Sequence, residues 1–251
     1  MRSRTHVPLE QGDPAAREPR IRFADRYEAG ELLAARIRQH LLLHAVDRER
    51  LVIVAVTEGG LPFAYHAALE FGVRVEPAPV APVHAPHQRS VRIGMVVDDG
   101  TLYIDERLGD RHGASGTTLD HLVDRAVDEL AHHMRELDDE PGVDVDGATV
   151  LVVDDAIDSG ITAVAVSDWL RRHGAAHVIY ATAVATPGGL ERMRGDVDAV
   201  ITLAELEEGE PPSWSFAHDD AGGLADSARL MDAIRDLERR RAAGRAASRL
   251  D

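Results

Sequence analysis

The sequence predicts an α/β fold, a three-layer, doubly wound and mostly parallel sheet with helices on both faces and a lid or hood above one end. Three observations carry this. The run Leu51-Val52-Ile53-Val54-Ala55-Val56 is wholly apolar and stops at Thr57-Glu58-Gly59-Gly60. The run Ala148-Thr149-Val150-Leu151-Val152-Val153 does the same and stops at Asp154-Asp155. Each leads through a short turn into a helical pattern. Strands without polar alternation are buried on both faces, as in parallel sheets covered by helices. A length of 251 residues with 44% hydrophobic content suffices for one large or two small domains.

In chain order, residues 1–20 read as a loose leader in which charge alternates with Pro and Gly. Asp25-Arg26-Tyr27-Glu28 opens a first helix whose apolar positions Leu32, Leu33, Ile37 and Leu41 recur at three- and four-residue spacing. After the first strand, Pro62 marks a helix first turn, followed by Ala64, Ala67, Ala68 and Leu69. Four prolines between Pro77 and Pro86 are incompatible with a central strand, so this stretch reads as a connection. Val91–Val97 and Thr101–Ile104 flank Asp98-Asp99-Gly100, a hairpin signal. Gly109–Gly116 is polar and glycine-bearing, and a helix follows at about 119–137. After the second strand comes a helix through Val164, Val166, Trp169 and Leu170. A strand at His177–Val184, a short helix at 188–194 and a strand at Ala199–Leu203 complete the sheet. Ala225–Ala243 is helical and ends in an Arg-rich, solvated tail. The organisation is therefore a leader at 1–20, one domain at 21–235 and a charged helical tail at 236–251.

Composition excludes several function classes. With 28 basic and 44 acidic side chains the net charge is −16, which argues against nucleic acid and anionic membrane as partners, since both are held by clustered positive charge. The chain contains no Lys and no Asn. Schiff-base chemistry, a Walker-type lysine and a receiver-domain lysine are closed to it. A GC-rich gene explains both absences; joined to the acidic excess, they point to a halophilic protein kept soluble at high salt. There is no cysteine, hence no disulfide, thiolate nucleophile or Cys-based metal site. No signal-peptide h-region and no run near the roughly 20 apolar residues of a membrane span is found, so the expected location is cytoplasmic. No GxGxxG or P-loop string occurs.

The most informative stretch is Val150-Leu151-Val152-Val153-Asp154-Asp155-Ala156-Ile157-Asp158-Ser159-Gly160-Ile161-Thr162. Ligands bind at the carboxyl ends of parallel strands, and a helix N-terminus offers N–H groups to a phosphate. Ser159 and Thr162 add hydroxyls, Gly160 allows close backbone approach, and the paired acids can accept hydrogen bonds from sugar hydroxyls or hold Mg²⁺. Asp as a plain helix N-cap would explain one acid and one Ser, but not the whole string.

This string resembles the PRPP-binding motif of the type I phosphoribosyltransferases, and the likeness extends over about residues 21–235. Phe23–Gly30, the Gly-Gly turn, the hairpin at Asp99-Gly100 and Val184-Ala185-Thr186-Pro187 resemble a stand-alone group of that family. The resemblance implies PRPP and a nucleobase or nucleotide as ligands, with Mg²⁺ as cofactor. It implies that Asp158, Ser159, Gly160, Ile161 and Thr162 cradle the 5′-phosphate. Asp154 and Asp155 would hold the ribose hydroxyls and share in Mg²⁺ binding, and Thr57, Glu58, Gly59 and Gly60 would form the pyrophosphate loop. Residues 98–118 would be a flexible lid. Asp158 takes the place of the acid that exchanges a proton with the base nitrogen, and the base pocket would lie near Val184–Gly189 and Trp214–Phe216. Relatives often form homodimers, for which this sequence marks no interface. Two departures stand out. Glu58 occupies a position where relatives carry Arg, and the lysine that reads the exocyclic oxygen in purine relatives has no counterpart. Arg89, Arg92, Arg107 and Arg111 are the candidate compensating charges. The departures also motivate a second reading, a regulatory protein that binds PRPP or a nucleotide without turnover.

Overall fold

The computed structural model describes residues 20–44, 46–137, 144–217 and 224–247. The expected leader at 1–20 lies outside these residues but for Arg20. Helix α1 (Arg26–Leu43) is capped by Asp25, whose carboxylate accepts the Glu28 N–H. Leu33, Ile37 and Leu41 are buried, whereas Leu32, expected on the same stripe, is exposed. One of two adjacent leucines on a helix must turn about 100° away from the other, and here the sheet takes Leu33.

Strands β1 (Leu51–Ala55), β2 (Val75–Pro77), β6 (Thr149–Ile157), β7 (His177–Ala185) and β8 (Ala199–Glu205) form a five-stranded sheet in the order β2-β1-β6-β7-β8. Every pairing is parallel. Period-two alternation splits the apolar strands between two cores. Ile53, Leu151, Val153 and Ile179 face α1 and α2 (Thr57–Phe71). Val52, Val150, Val152 and Tyr180 face α5 (Ile161–Arg172) through Ala165, Val166 and Leu170. Each Leu or Ile buried in this way contributes about 1.5–3 kcal/mol.

A separate antiparallel sheet, β3-β4-β5, forms the hood: β3 (Val80–Ala85), β4 (Gln88–Val97) and β5 (Leu102–Ile104). The β4–β5 hairpin turns at Asp98–Gly100 as expected. The proline-rich stretch, expected as a connection, begins at the last residue of β2 and contains the whole of β3. Pro82 is tolerated because β3 is an edge strand paired only with β4, so one flank needs no N–H donor. Helix α4 (Thr117–Leu137) closes the hood's own core around Val83, Ile93 and Leu130. The segment expected as a lid contains α3 (Glu106–Arg111) and is tied to the body by side-chain hydrogen bonds, among them Tyr103 to Asp168, Arg172 to Asp99, Trp169 Nε1 to Asp98 at 2.9 Å and Arg192 to Asp105 at 2.7 Å.

Helix α7 (Leu224–Ala247) packs against α2 and the outer strand β2. Glu238 accepts the Val75 N–H at 2.9 Å and Arg235 donates to the Val75 carbonyl at 2.8 Å. Arg241, expected in a solvated tail, donates to the Ala68 carbonyl at 2.8 Å and the Leu69 carbonyl at 2.6 Å. It thereby supplies donors to carbonyls in the last turn of α2, where cations are favoured. No helix of the described residues is long and apolar enough to cross a membrane.

Candidate active site

The chain runs outward from β1 to β2 and then returns to place β6 on the other side of β1. That reversal opens a crevice beyond the carboxyl ends of β1 and β6, the place where open parallel sheets bind ligands. Residues 57–60 follow β1 and residues 154–162 follow β6, so topology brings both sequence motifs to one crevice. The first motif is not a free turn: Thr57–Gly60 is the first turn of α2, and the Gly60 N–H bonds to the Val56 carbonyl at 3.0 Å. Pro62 therefore lies inside the helix, later than the expected first turn. Both glycines are needed for the close approach. A Cβ on Gly59 would sit 2.8 Å from the Asp155 carboxylate, and one on Gly60 would sit 2.6 Å from the Val153 carbonyl oxygen.

The second motif begins inside the strand. β6 continues through Asp154, Asp155 and Ala156 to Ile157, which pairs with Ala185 on β7. The two acids consequently alternate in direction and occupy different environments. Asp154 is buried, accepting the Tyr180 hydroxyl at 2.7 Å and the Asp155 N–H at 2.9 Å. Burial first, and the neighbouring Asp155 charge second, push its carboxyl up to about 8. The Tyr180 phenol is raised well above its ordinary range, chiefly by burial. Asp155 turns toward α1 and receives the Arg26 guanidinium, with Nη2 at 2.8 Å and Nε at 3.1 Å. Arg26 is itself buried, and its guanidinium lies 4.9 Å from the centroid of the Phe216 ring.

Beyond Ile157 the loop Asp158-Ser159-Gly160 leads into α5. Gly160 takes φ 76° at the N-cap, a left-handed conformation that suits glycine. The amides of Ile161, Thr162 and Ala163 precede the first regular α5 bond, from the Val164 N–H to the Gly160 carbonyl. These are the amides expected to cradle an anion; Ser159 and Thr162 stand beside them, and the Ile161 N–H meets Ser159 Oγ at 3.5 Å. Arg92 reaches across from β4 and donates to Thr162 Oγ1 at 2.7 Å. The space left among Arg92, Asp154, Ser159 and Thr162 is about 10 Å³, about one water probe.

Asp158 is exposed and stands between this cradle and an open cavity of about 370 Å³ lined by Thr186, Pro187, Gly188 and residues 208–212. Of the stretch Val184–Gly189, expected to border a base, residues 186–188 line this cavity. Val184 is buried in the sheet core, and Phe216 turns inward against Phe23. Thr186 fixes this corner: its hydroxyl donates to the Asp158 carbonyl while its oxygen accepts the Gly189 N–H at 3.0 Å, capping α6 (Pro187–Met193). Thr186→Ala is expected to cost about 1 kcal/mol, the usual worth of such a cap, with Thr186→Ser near wild type. Urea unfolding of the two variants checks this.

Of the four candidate compensating arginines, Arg92 reaches the cradle. Arg89 turns to Glu129 on α4 at 3.3 Å, and Arg111 donates to the Arg107 carbonyl at 3.3 Å within α3. The sequence alone gave Arg26 no role, because its partner Asp155 lies 129 residues away. The one signal available was an arginine at the very start of an amphipathic helix, where a cation opposes the helix dipole and needs a local reason.

Fold and crevice define an open parallel α/β protein with a helix start and paired acids at its strand-order switch. The chain belongs to the phosphoribosyl transferase domain family, whose sequence model matches residues 24–212. Curated relatives in two Mycobacterium tuberculosis strains, CDC 1551 / Oshkosh and ATCC 25618 / H37Rv, bear provisional phosphoribosyl transferase names and are 26% identical over 185 residues. The match takes in 72% of this chain and 40% of those relatives, so the chain spans well under half of their length. The crystal structure of TT1426 from Thermus thermophilus has a similar fold, with a TM-score of 0.63 at 24% identity, covering 84% of this chain and 98% of that one.

Proposed function

We propose that the chain binds PRPP with Mg²⁺ and transfers the phosphoribosyl group to or from a nucleobase. The observation that carries this reading is the juxtaposition at the end of β6: paired acids, then a glycine-bearing loop, then the first-turn amides of α5. In this reading residues 158–162 receive the 5′-phosphate and Asp154 and Asp155 meet the ribose hydroxyls. In the same reading the first turn of α2 faces the pyrophosphate and offers it the amides of residues 57–59, that of Gly60 being bonded to the Val56 carbonyl. Among the described residues no group of three or more His, Asp or Glu is arranged to hold a metal. The pair Asp154 and Asp155 fits Mg²⁺ in its usual mode, one or two carboxylates completed by substrate oxygens and water. When bound, the cation offsets charge on the departing pyrophosphate.

The chain's own groups act at the anomeric carbon. The bond to pyrophosphate breaks as the bond to the base nitrogen forms, and positive charge develops on the ribose ring. The fixed Asp155 carboxylate lies where it stabilises that charge. Asp158, exposed between the cradle and the open cavity, takes the proton the base nitrogen gives up and returns it in the reverse direction.

Calorimetric titration with PRPP and Mg²⁺ at high salt, followed by pyrophosphate release across a panel of nucleobases, tests the reading. Binding with turnover on at least one base is expected. Joint replacement Asp154→Asn and Asp155→Asn should weaken PRPP at least about 100-fold, since the Asp155 charge and both carboxyl hydrogen-bond partners are lost. Binding without turnover on any base would favour the regulatory alternative that Glu58 suggested. No binding of PRPP or of any nucleoside monophosphate would overturn both.

A further inference from the structure

A second cavity, of about 310 Å³, lies between the free edge of β3 and helix α4, and it shares no lining residue with the crevice. Its composition is unlike the rest of the molecule. In a chain of net charge −16 it gathers Arg89, Arg125, His84 and His87 against a single carboxylate, Glu129. Its apolar wall is Pro82, Ala85, Leu122 and Ala126. The size falls at the lower end of the range of small-molecule pockets, and the pattern, an apolar wall with a few convergent polar groups, is theirs as well.

The charged groups here are not spent on one another. Glu129 is shared between Arg89 at 3.3 Å and Arg125 at 3.5 Å, and the two arginine side chains are 75% and 66% exposed. Ion pairs of that length and exposure contribute little to stability. Two guanidinium forks converging on one carboxylate keep donor capacity for a further oxyanion, which they can grip bidentately. His84 adds a second sign of an unmet partner. Its Nδ1 is buried without a hydrogen-bond partner in the structure, and burial, followed by the nearby Arg92 and Arg89 charges, lowers its pKa. A buried ring nitrogen left unsatisfied is costly unless something fills the need.

We propose that this cavity is a second ligand site, one that takes a small oxyanion-bearing molecule with an apolar body. The phosphate or carboxylate head lies between Arg89 and Arg125, the body lies on Pro82, Ala85, Leu122 and Ala126, and His84 contacts a polar group of the ligand. His84 is the register partner of Arg92 across the β3–β4 hairpin.

The test uses the isotope-labelled full chain at low ionic strength, titrated with phenyl phosphate, benzoate and inorganic phosphate while backbone amide resonances are followed. Phenyl phosphate or benzoate should shift amides at 83–85 and 122–129, and the tighter of the two identifies the head group. That probe should bind at least about 10-fold more tightly than inorganic phosphate, because the ring buries apolar surface. The double variant Arg89→Glu, Arg125→Glu should lose these shifts while keeping the wild-type melting temperature and any shifts at 158–162. Three results would each overturn the site: no shift at either segment, unchanged shifts in the double variant, or inorganic phosphate binding as tightly as the ring compounds.

Discussion

Gly160→Ala is expected to destabilise the protein by about 3–5 kcal/mol and to remove phosphate binding, the larger part of the cost coming from two independent penalties. The residue sits at φ 76°, so any Cβ there strains the backbone. The new methyl would also lie 2.5 Å from the Gly189 carbonyl oxygen. That neighbour is itself held, because a Cβ on Gly189 would meet the Asp158 carbonyl oxygen at 2.3 Å and neither loop can retreat from the other. Gly188→Ala provides the contrast. Nothing lies within 4 Å of its ideal Cβ, and the residue is helical, so alanine should add roughly 0.5–1 kcal/mol. Urea unfolding of both variants, with PRPP titration of the folded fraction, measures the difference. Equal stabilities would show that the two loops are not wedged together.

Asp154→Asn is expected to change how stability depends on pH. In the unfolded chain this carboxyl ionises near 3.8, whereas in the native protein burial holds its proton to about 8. Between those values the native state binds a proton that the unfolded state has released. Unfolding free energy from this group therefore falls as pH rises from about 4 to about 8 and levels off above it. Asparagine carries no such proton and fits the same space; its oxygen accepts the Asp155 N–H while its amide nitrogen donates to the Tyr180 oxygen. Measured without Mg²⁺ or PRPP, the variant should lose most of the slope and match or exceed wild type near pH 8. It should do so while binding PRPP more weakly. A wild-type profile flat over that interval would mean that the buried carboxyl is already ionised.

These two residues also show what could be read without the structure. The apolar runs of β1 and β6 identify a covered parallel sheet because no polar side chain interrupts them, and the string from Val150 to Thr162 places paired acids before a helix start. Neither depends on distant partners. Pro82 was misleading because a proline rules out a central strand but not an edge, and edge status is decided by the pairing of the whole sheet. The division of labour between Asp154 and Asp155 could not be read from two identical letters. It follows from the continuation of β6 against β7, which turns one acid to Tyr180 and the other to Arg26. Arg92 was one of four arginines with equal claims until the hood's register placed it over Thr162. Leu32 failed for the same reason as Pro82: a spacing rule gives a stripe, and only the packed neighbour decides its width.

The grip of α7 on β2 has a consequence for how these molecules meet one another. A parallel sheet with an open outer strand offers a row of amides and carbonyls on which a strand from another chain can pair. At Val75 that row is already engaged, its N–H by Glu238 and its carbonyl by Arg235. The α7 side chains stand in for the neighbour that the last strand lacks, so the central sheet cannot be extended from this margin by a second chain. Loss of Arg235 and Glu238 would bare it, and the fault would then be insolubility rather than a damaged crevice.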